Sequence, residues 1–160
     1  MNFFEDVAAG DVSELGSFTF TAEGIKRFAR AYDPQPFHVD EAAAAASLYG
    51  GLIASGWHVA SVWMKLQVAY QSEMIARARA AGEPVVTLGP SPGFRNMVWA
   101  KPVRPGDTLR YRVEITGKKE SASRPEWGIV SMLGSADNQH GQRAFQFDGV
   151  VFWGRRRRAA

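Results

Sequence analysis

Asp33-Pro34-Gln35-Pro36-Phe37-His38 is the stretch on which the reading of this chain turns, with Gly50-Gly51-Leu52-Ile53-Ala54-Ser55-Gly56 following shortly after. Each proline disfavours helix in the residue before it, so Asp33 and Gln35 are pushed toward extended backbone, while Pro34 and Pro36 have φ fixed. A helix entering this segment must therefore stop near Tyr32. The incoming residues fit one: Ile25, Phe28, Ala29 and Tyr32 fall at i, i+3, i+4 and i+7, Thr21 can cap the start, and Lys26, Arg27 and Arg30 face away. Beyond His38, Asp40 is placed to cap a short helix from about Glu41 to Leu48. An acid and an imidazole thus sit on a connection pinned at both ends, where little entropy remains to be lost on orienting them. Taken alone, that spacing fits turn chemistry and a packing histidine better than a catalytic pair.

The glycine-rich segment changes the balance. From Ser55 onward Val59, Val62, Trp63, Leu66 and Tyr70 repeat at helical spacing, which predicts a long, largely buried helix beginning near Gly56. Its first turn gathers unpaired N–H groups and the positive end of the helix dipole, and a glycine there lets another group approach the backbone. Such donors stabilise a developing oxyanion. The plainer reading is that Gly50, Gly51 and Gly56 serve a turn and close helix packing.

The residues from Phe28 to Gly56 resemble the MaoC-like dehydratases and (R)-specific enoyl-CoA hydratases. Their signature runs approximately Gly-Asp-x-Asn-Pro-x-His, an Asp, an alanine-rich helix, an aromatic-Gly pair and a hydrophobic-Ala-x-Gly step. Asp33, Pro36, His38, Asp40, Tyr49, Gly50, Ile53, Ala54 and Gly56 match it without a gap, and Trp99 to Asp107 is similar to the family's Pro-Val-x-x-Gly-Asp strand and turn. Two positions depart: Tyr32 stands where the family has Gly, and Gln35 where it has Asn.

The resemblance implies an α+β hot-dog fold, a long central helix wrapped by a curved antiparallel sheet, in a homodimer or higher homo-oligomer. It implies catalysis by Asp33 and His38 with the Gly56 N–H facing the oxyanion, and a substrate-binding surface from Tyr32, Gln35, Ile53, Ala54 and Ser55. The substrate implied is a trans-2-enoyl thioester, on coenzyme A, hydrated to the (R)-3-hydroxyacyl form with no cofactor. The alternatives are a hot-dog acyl-CoA thioesterase using Asp33 to activate water, and a silent acyl-thioester-binding subunit.

The remaining sequence agrees with an α+β arrangement. Strand candidates are 85–88, 94–103, 128–136 and 142–153, and Leu109, Tyr111, Val113 and Ile115 alternate with Arg110, Arg112, Glu114 and Thr116 as a half-wet strand should. At 160 residues with no linker, residues 1–154 read as one domain and 155–160 as a basic tail. Hydrophobic residues at 46% and charged residues at 22% are ordinary for a globular chain, which sets aside a disordered or fibrous class.

No apolar run of about 18 residues and no basic-then-apolar leader occur, so neither a membrane span nor export is expected, and cytoplasm is the default. Zero cysteines rule out disulfides and thiol nucleophiles, and the three histidines, His38, His58 and His140, lack ligand spacing, so no metal is expected. His58 reads as a packing or interface residue. The Arg155 to Arg158 run and the net charge of +3 invite a nucleic-acid reading, but a run beyond the last strand reads better as a solvated tail. Trp57, Trp63, Trp99 and Trp127 read as core or interface aromatics, with room for one or two in a pocket wall.

Overall fold

The computed structural model describes residues 3–156. In chain order the elements are β1 (Val12–Thr19), α1 (Ala22–Tyr32), α2 (Pro36–Val39), α3 (Glu41–Ala45), α4 (Gly56–Ala80), β2 (Gly93–Trp99), β3 (Thr108–Glu120), β4 (Trp127–Asp137) and β5 (Arg143–Gly154). The five strands form one antiparallel sheet in the order β1-β3-β4-β5-β2. Together with the long central helix this is a hot-dog fold, as expected. No helix among the described residues is long and apolar enough to cross a membrane.

Local chemistry places the helices that matter. The Thr21 hydroxyl accepts from the Gly24 N–H at 3.1 Å to start α1, and Pro34 ends it, leaving Asp33 as the C-cap with φ −155°. Asp40 caps α3 by accepting from Ala43 N–H at 2.8 Å. An ion pair between Lys26 and Glu41 ties α1 to α3. The Asp33–Asp40 connection is more structured than expected, because Pro36 at its first position nucleates the single turn α2. The second helix, in contrast, ends at Ala45 rather than Leu48. Ser47 N–H and Ser47 Oγ both bond to the Ala44 carbonyl, and Gly50 then turns the chain at φ +62°.

Burial divides into two clusters. The larger gathers Phe20, Ile25, Val59, Val62, Trp63, Leu109, Tyr111, Phe145 and Phe147 between α4 and the sheet, and the smaller gathers Phe4, Val7, Val86, Ile115, Val130 and Trp153. Leu109, Tyr111, Val113 and Ile115 all point into this interior, as the alternation of β3 required. His58 is buried against α1, its ring stacked on Phe28 at 4.5 Å and edge-on to Phe20 at 5.0 Å. Burial, with Arg27 nearby, pushes its pKa down to about 4, and its Nδ1 has no partner among the described residues.

Three expectations need correction. The 85–88 segment makes only an isolated bridge, Leu88 to Trp153, where it follows β5 beyond the end of β2; Pro90 and Pro92 lack the N–H groups a full ladder needs. The strand expected over 94–103 stops at Trp99, and Pro102 and Pro105 follow in the turn. The basic tail is not wholly solvated: Arg155 pairs with Glu5 and Glu120, and Arg156 pairs with Asp6. Residues 157–160 lie outside the described residues.

Candidate active site

Asp33 and His38 converge. Leaving α1 at Asp33 and re-entering helix at Pro36 folds the connection back on itself, so that His38 Nε2 lies 3.4 Å from Asp33 Oδ2. His38 is buried, and its Nδ1 lies 2.8 Å from the Ile53 carbonyl oxygen. A carbonyl only accepts, so Nδ1 carries a proton and Nε2 is the ring nitrogen turned toward the carboxylate. A water on the cavity side of the pair can bridge Nε2 and Oδ2.

The carboxylate is held from the other side. Ser55 Oγ lies 2.6 Å from Asp33 Oδ2, and Gln35 Nε2 donates to Oδ1 at 2.8 Å. Ser55 is the N-cap of α4 and its oxygen accepts from Trp57 N–H at 3.2 Å, which leaves the hydroxyl hydrogen for Asp33. Burial by itself raises the Asp33 pKa, yet the hydrogen bonds from Ser55 and Gln35 and the adjacent imidazole outweigh it and hold the pKa below its usual value. The extra methylene of Gln35 does not prevent its amide from reaching the acid.

A cavity of about 390 Å³ opens on this pair, lined by Asp33, Gln35, His38, Ile53, Ala54 and Gly56 together with Phe37, Tyr49, Trp57, Val59, Trp99 and Lys101 to Val103. Gly56 begins α4, and its N–H has no acceptor among the described residues. Its carbonyl accepts from Trp99 Nε1 at 2.8 Å, and a Cβ at this position would lie 2.6 Å from the Trp99 ring. Glycine is thus required here for the indole to close one wall of the cavity.

Two of the expected binding residues do not line the cavity. Tyr32 is 74% exposed and packs its ring on Phe28, away from the opening. Ser55 is fully buried, with its hydroxyl turned to Asp33 rather than to the space a ligand would fill. Trp57 and Trp99, undivided between core and pocket by sequence, both line the cavity, as do Phe37 and Lys101, which no motif singles out. Trp99 and Lys101 both fall in the segment similar to the family's second motif, which was the available signal. Another cavity, of about 710 Å³, lies farther along α4 and contains neither member of the acid–imidazole pair.

Comparisons with known proteins agree with the fold. A family model described as the MaoC like domain matches residues 8–132. An uncharacterized Bacillus subtilis protein, YdeM, is 30% identical over 145 residues, covering 89% of this chain and 92% of its own length. The crystal structure of a MaoC-like dehydratase from Rhodospirillum rubrum superposes with a TM-score of 0.80 at 34% identity, covering 99% of this chain and all of that one. An (R)-hydratase from A. caviae involved in PHA biosynthesis shares the fold, with a TM-score of 0.63 at 22% identity over 92% of this chain and 97% of its own. With the match spanning most of its length, the chain belongs to the MaoC-like dehydratase domain family.

Proposed function

We propose that the protein reversibly hydrates a trans-2-enoyl thioester, carried on coenzyme A, to the (R)-3-hydroxyacyl thioester. The observation carrying this reading is the 3.4 Å approach of His38 Nε2 to Asp33 Oδ2 in the wall of a cavity that the α4 N-terminus also lines. A water held between the two groups gives one proton to Nε2 as its oxygen bonds to the β-carbon. Electron density moves to the thioester oxygen, where the unpaired Gly56 N–H and the helix dipole stabilise it.

The enolate then needs a proton at the α-carbon. Because Asp33 rests as a carboxylate, it acts as a carrier: the proton on Nε2 passes through the Asp33 carboxyl to the α-carbon, which returns both groups to their starting states. Atoms balance as one water added across the double bond.

The same reading includes a second copy of the chain. β2 is a sheet edge, and it exposes Phe94, Val98 and Trp99, while α4 exposes Trp57, Met64 and Val68. Apolar side chains on an unpaired edge and the adjoining helix are features a homodimer would cover.

The test is a spectrophotometric assay with a range of trans-2-enoyl-CoA esters, following loss of the conjugated thioester absorbance, with the product resolved by chirality. Reversible loss giving the (R)-3-hydroxyacyl ester is expected. Release of free thiol without hydration would replace this reading with a thioesterase. Light scattering on the eluted protein should give twice the chain mass.

A further inference from the structure

The two cavities along α4 are neighbours without being connected through shared walls. Val59 lines the smaller one, Trp63 lines the larger one a single helical turn later, and no lining residue is common to both. A row of aromatic rings runs between them. Trp99, in the wall of the smaller cavity, lies 6.2 Å from Phe145; Phe145 lies 5.7 Å from Phe147; and Phe147 meets Trp63, in the wall of the larger cavity, edge-on at 4.7 Å.

These rings are fixed in place. Trp63, Phe145 and Phe147 are all buried. The Trp63 indole N–H donates to the Arg112 carbonyl at 3.1 Å, so swinging the ring aside would leave a buried donor unpaired. Phe147 and Trp63 also occupy the space over Gly134, where a Cβ would come within 2.4 Å and 2.9 Å of them. Residue 134, directly across the ladder from Phe147, is the glycine that lets both rings settle against the sheet.

An acyl tail entering at Asp33 and His38 and running inward beside α4 therefore meets aromatic side chains rather than the 710 Å³ space beyond them. Resting on the hydratase reading above, we infer that Trp99, backed by the Phe145-Phe147-Trp63 row between the two cavities, is the end wall of the acyl pocket and restricts the enzyme to short-chain enoyl thioesters. The larger cavity is thereby closed to the substrate of the Asp33/His38 site. Rings serving only as core would give no reason for the acyl-chain length to matter.

The experiment measures kcat/KM of the wild-type protein on crotonyl-, hexenoyl-, decenoyl- and dodecenoyl-CoA, with calorimetric titration of butyryl- and decanoyl-CoA alongside. A fall of about tenfold or more between hexenoyl and decenoyl is expected, as an apolar tail has no pocket to enter. Phe147→Ala, and Trp63→Phe as a milder lesion, should raise the decenoyl-to-crotonyl ratio by about tenfold, because either opens a way into the larger space. A wild-type profile flat or rising with chain length overturns the inference, as does a folded Phe147→Ala protein with an unchanged ratio. If no enoyl ester is turned over, the hydratase reading falls, and the titration decides the wall separately. Tighter butyryl than decanoyl binding supports the wall; equal, reversed or absent binding removes it.

Discussion

In the smaller cavity, about 390 Å³, one carboxylate receives bonds from Ser55 and Gln35, its neighbour His38 is fixed by a backbone carbonyl, and the other ring nitrogen faces that carboxylate at 3.4 Å. The larger, about 710 Å³, is walled mainly by Trp63, Met64, Met74, Val113, Ile115, Met132 and Trp153. Several of its polar groups are already engaged, Tyr70 with Ser13, Asp11 with the Ala8 N–H and Asp6 with Arg156, while the buried Gln67 Oε1 has no partner among the described residues. The difference is one of order rather than of room. Proton transfer needs an acid and a base held at a fixed close approach, and of the two only the smaller cavity has such a pair.

The comparison breaks most visibly if its two ends respond alike to mutation. His38→Ala or Asp33→Asn should lower kcat by roughly 10²-fold or more with little change in melting temperature, whereas Met74→Ala in the larger cavity should leave kcat within about twofold. Steady-state kinetics with a melting curve decides it, and equal losses at the two ends would end the assignment.

Gly56→Ala tests the wall. The new Cβ meets the Trp99 ring, so the indole must move, at a cost of about 1–3 kcal/mol in stability and with about tenfold lower kcat/KM. Adding Trp99→Ala should restore the stability but not the closed cavity. Denaturant titration of the single and double variants reads the first part, and no recovery in the pair would count against the contact.

His58 separates packing from chemistry. Its pKa is near 4 in the fold and 6.5 when unfolded, so between those values the unfolded chain binds more protons. Stability should therefore fall by about 2 kcal/mol as pH drops from 6.5 to 4 and stay level in this respect above it. His58→Phe should flatten that acid slope without changing kcat at neutral pH; an unchanged slope would assign the loss elsewhere.

The smallest effect belongs to Ser55. Ser55→Ala removes a helix cap worth about 1 kcal/mol and the donor that helps hold Asp33 ionised. Asp33 works as a carboxylate whose pKa this bond lowers, so activity is lost as pH falls through that pKa, and the acid limb of the kcat/KM profile should move to higher pH. Ser55→Thr, which keeps the hydroxyl, should restore the limb. A limb that stays put in the alanine variant would make Ser55 a cap and nothing more.

Much of this region could be read in advance because its causes are local. Pro34 stops α1 at Tyr32, Thr21 and Asp40 cap through their own side chains, and the period of β3 assigns Tyr111 to the interior. Other parts depended on distant partners. Ser55 reaches a carboxylate 22 positions earlier, so nothing in its neighbourhood announced that its hydroxyl would leave the pocket. Tyr32 stands next to the acid in the chain, but the last turn of α1 sends it outward onto Phe28. Arg155 looked like tail because its acidic partners, Glu5 and Glu120, lie 150 and 35 positions away.

The amino-acid sequence by itself determined where α1 begins and ends, where α3 and α4 begin, the faces of β3 and the presence of an acid and an imidazole on a proline-stiffened turn, since each follows from φ restriction, capping or periodicity within a few residues. Only the tertiary structure decided which ring nitrogen faces the acid, which serine serves that acid, and where a row of four aromatics divides the interior. Those outcomes depend on contacts between β5, β2 and the first turns of α4, brought together by the sheet's closure around the helix rather than by any local preference.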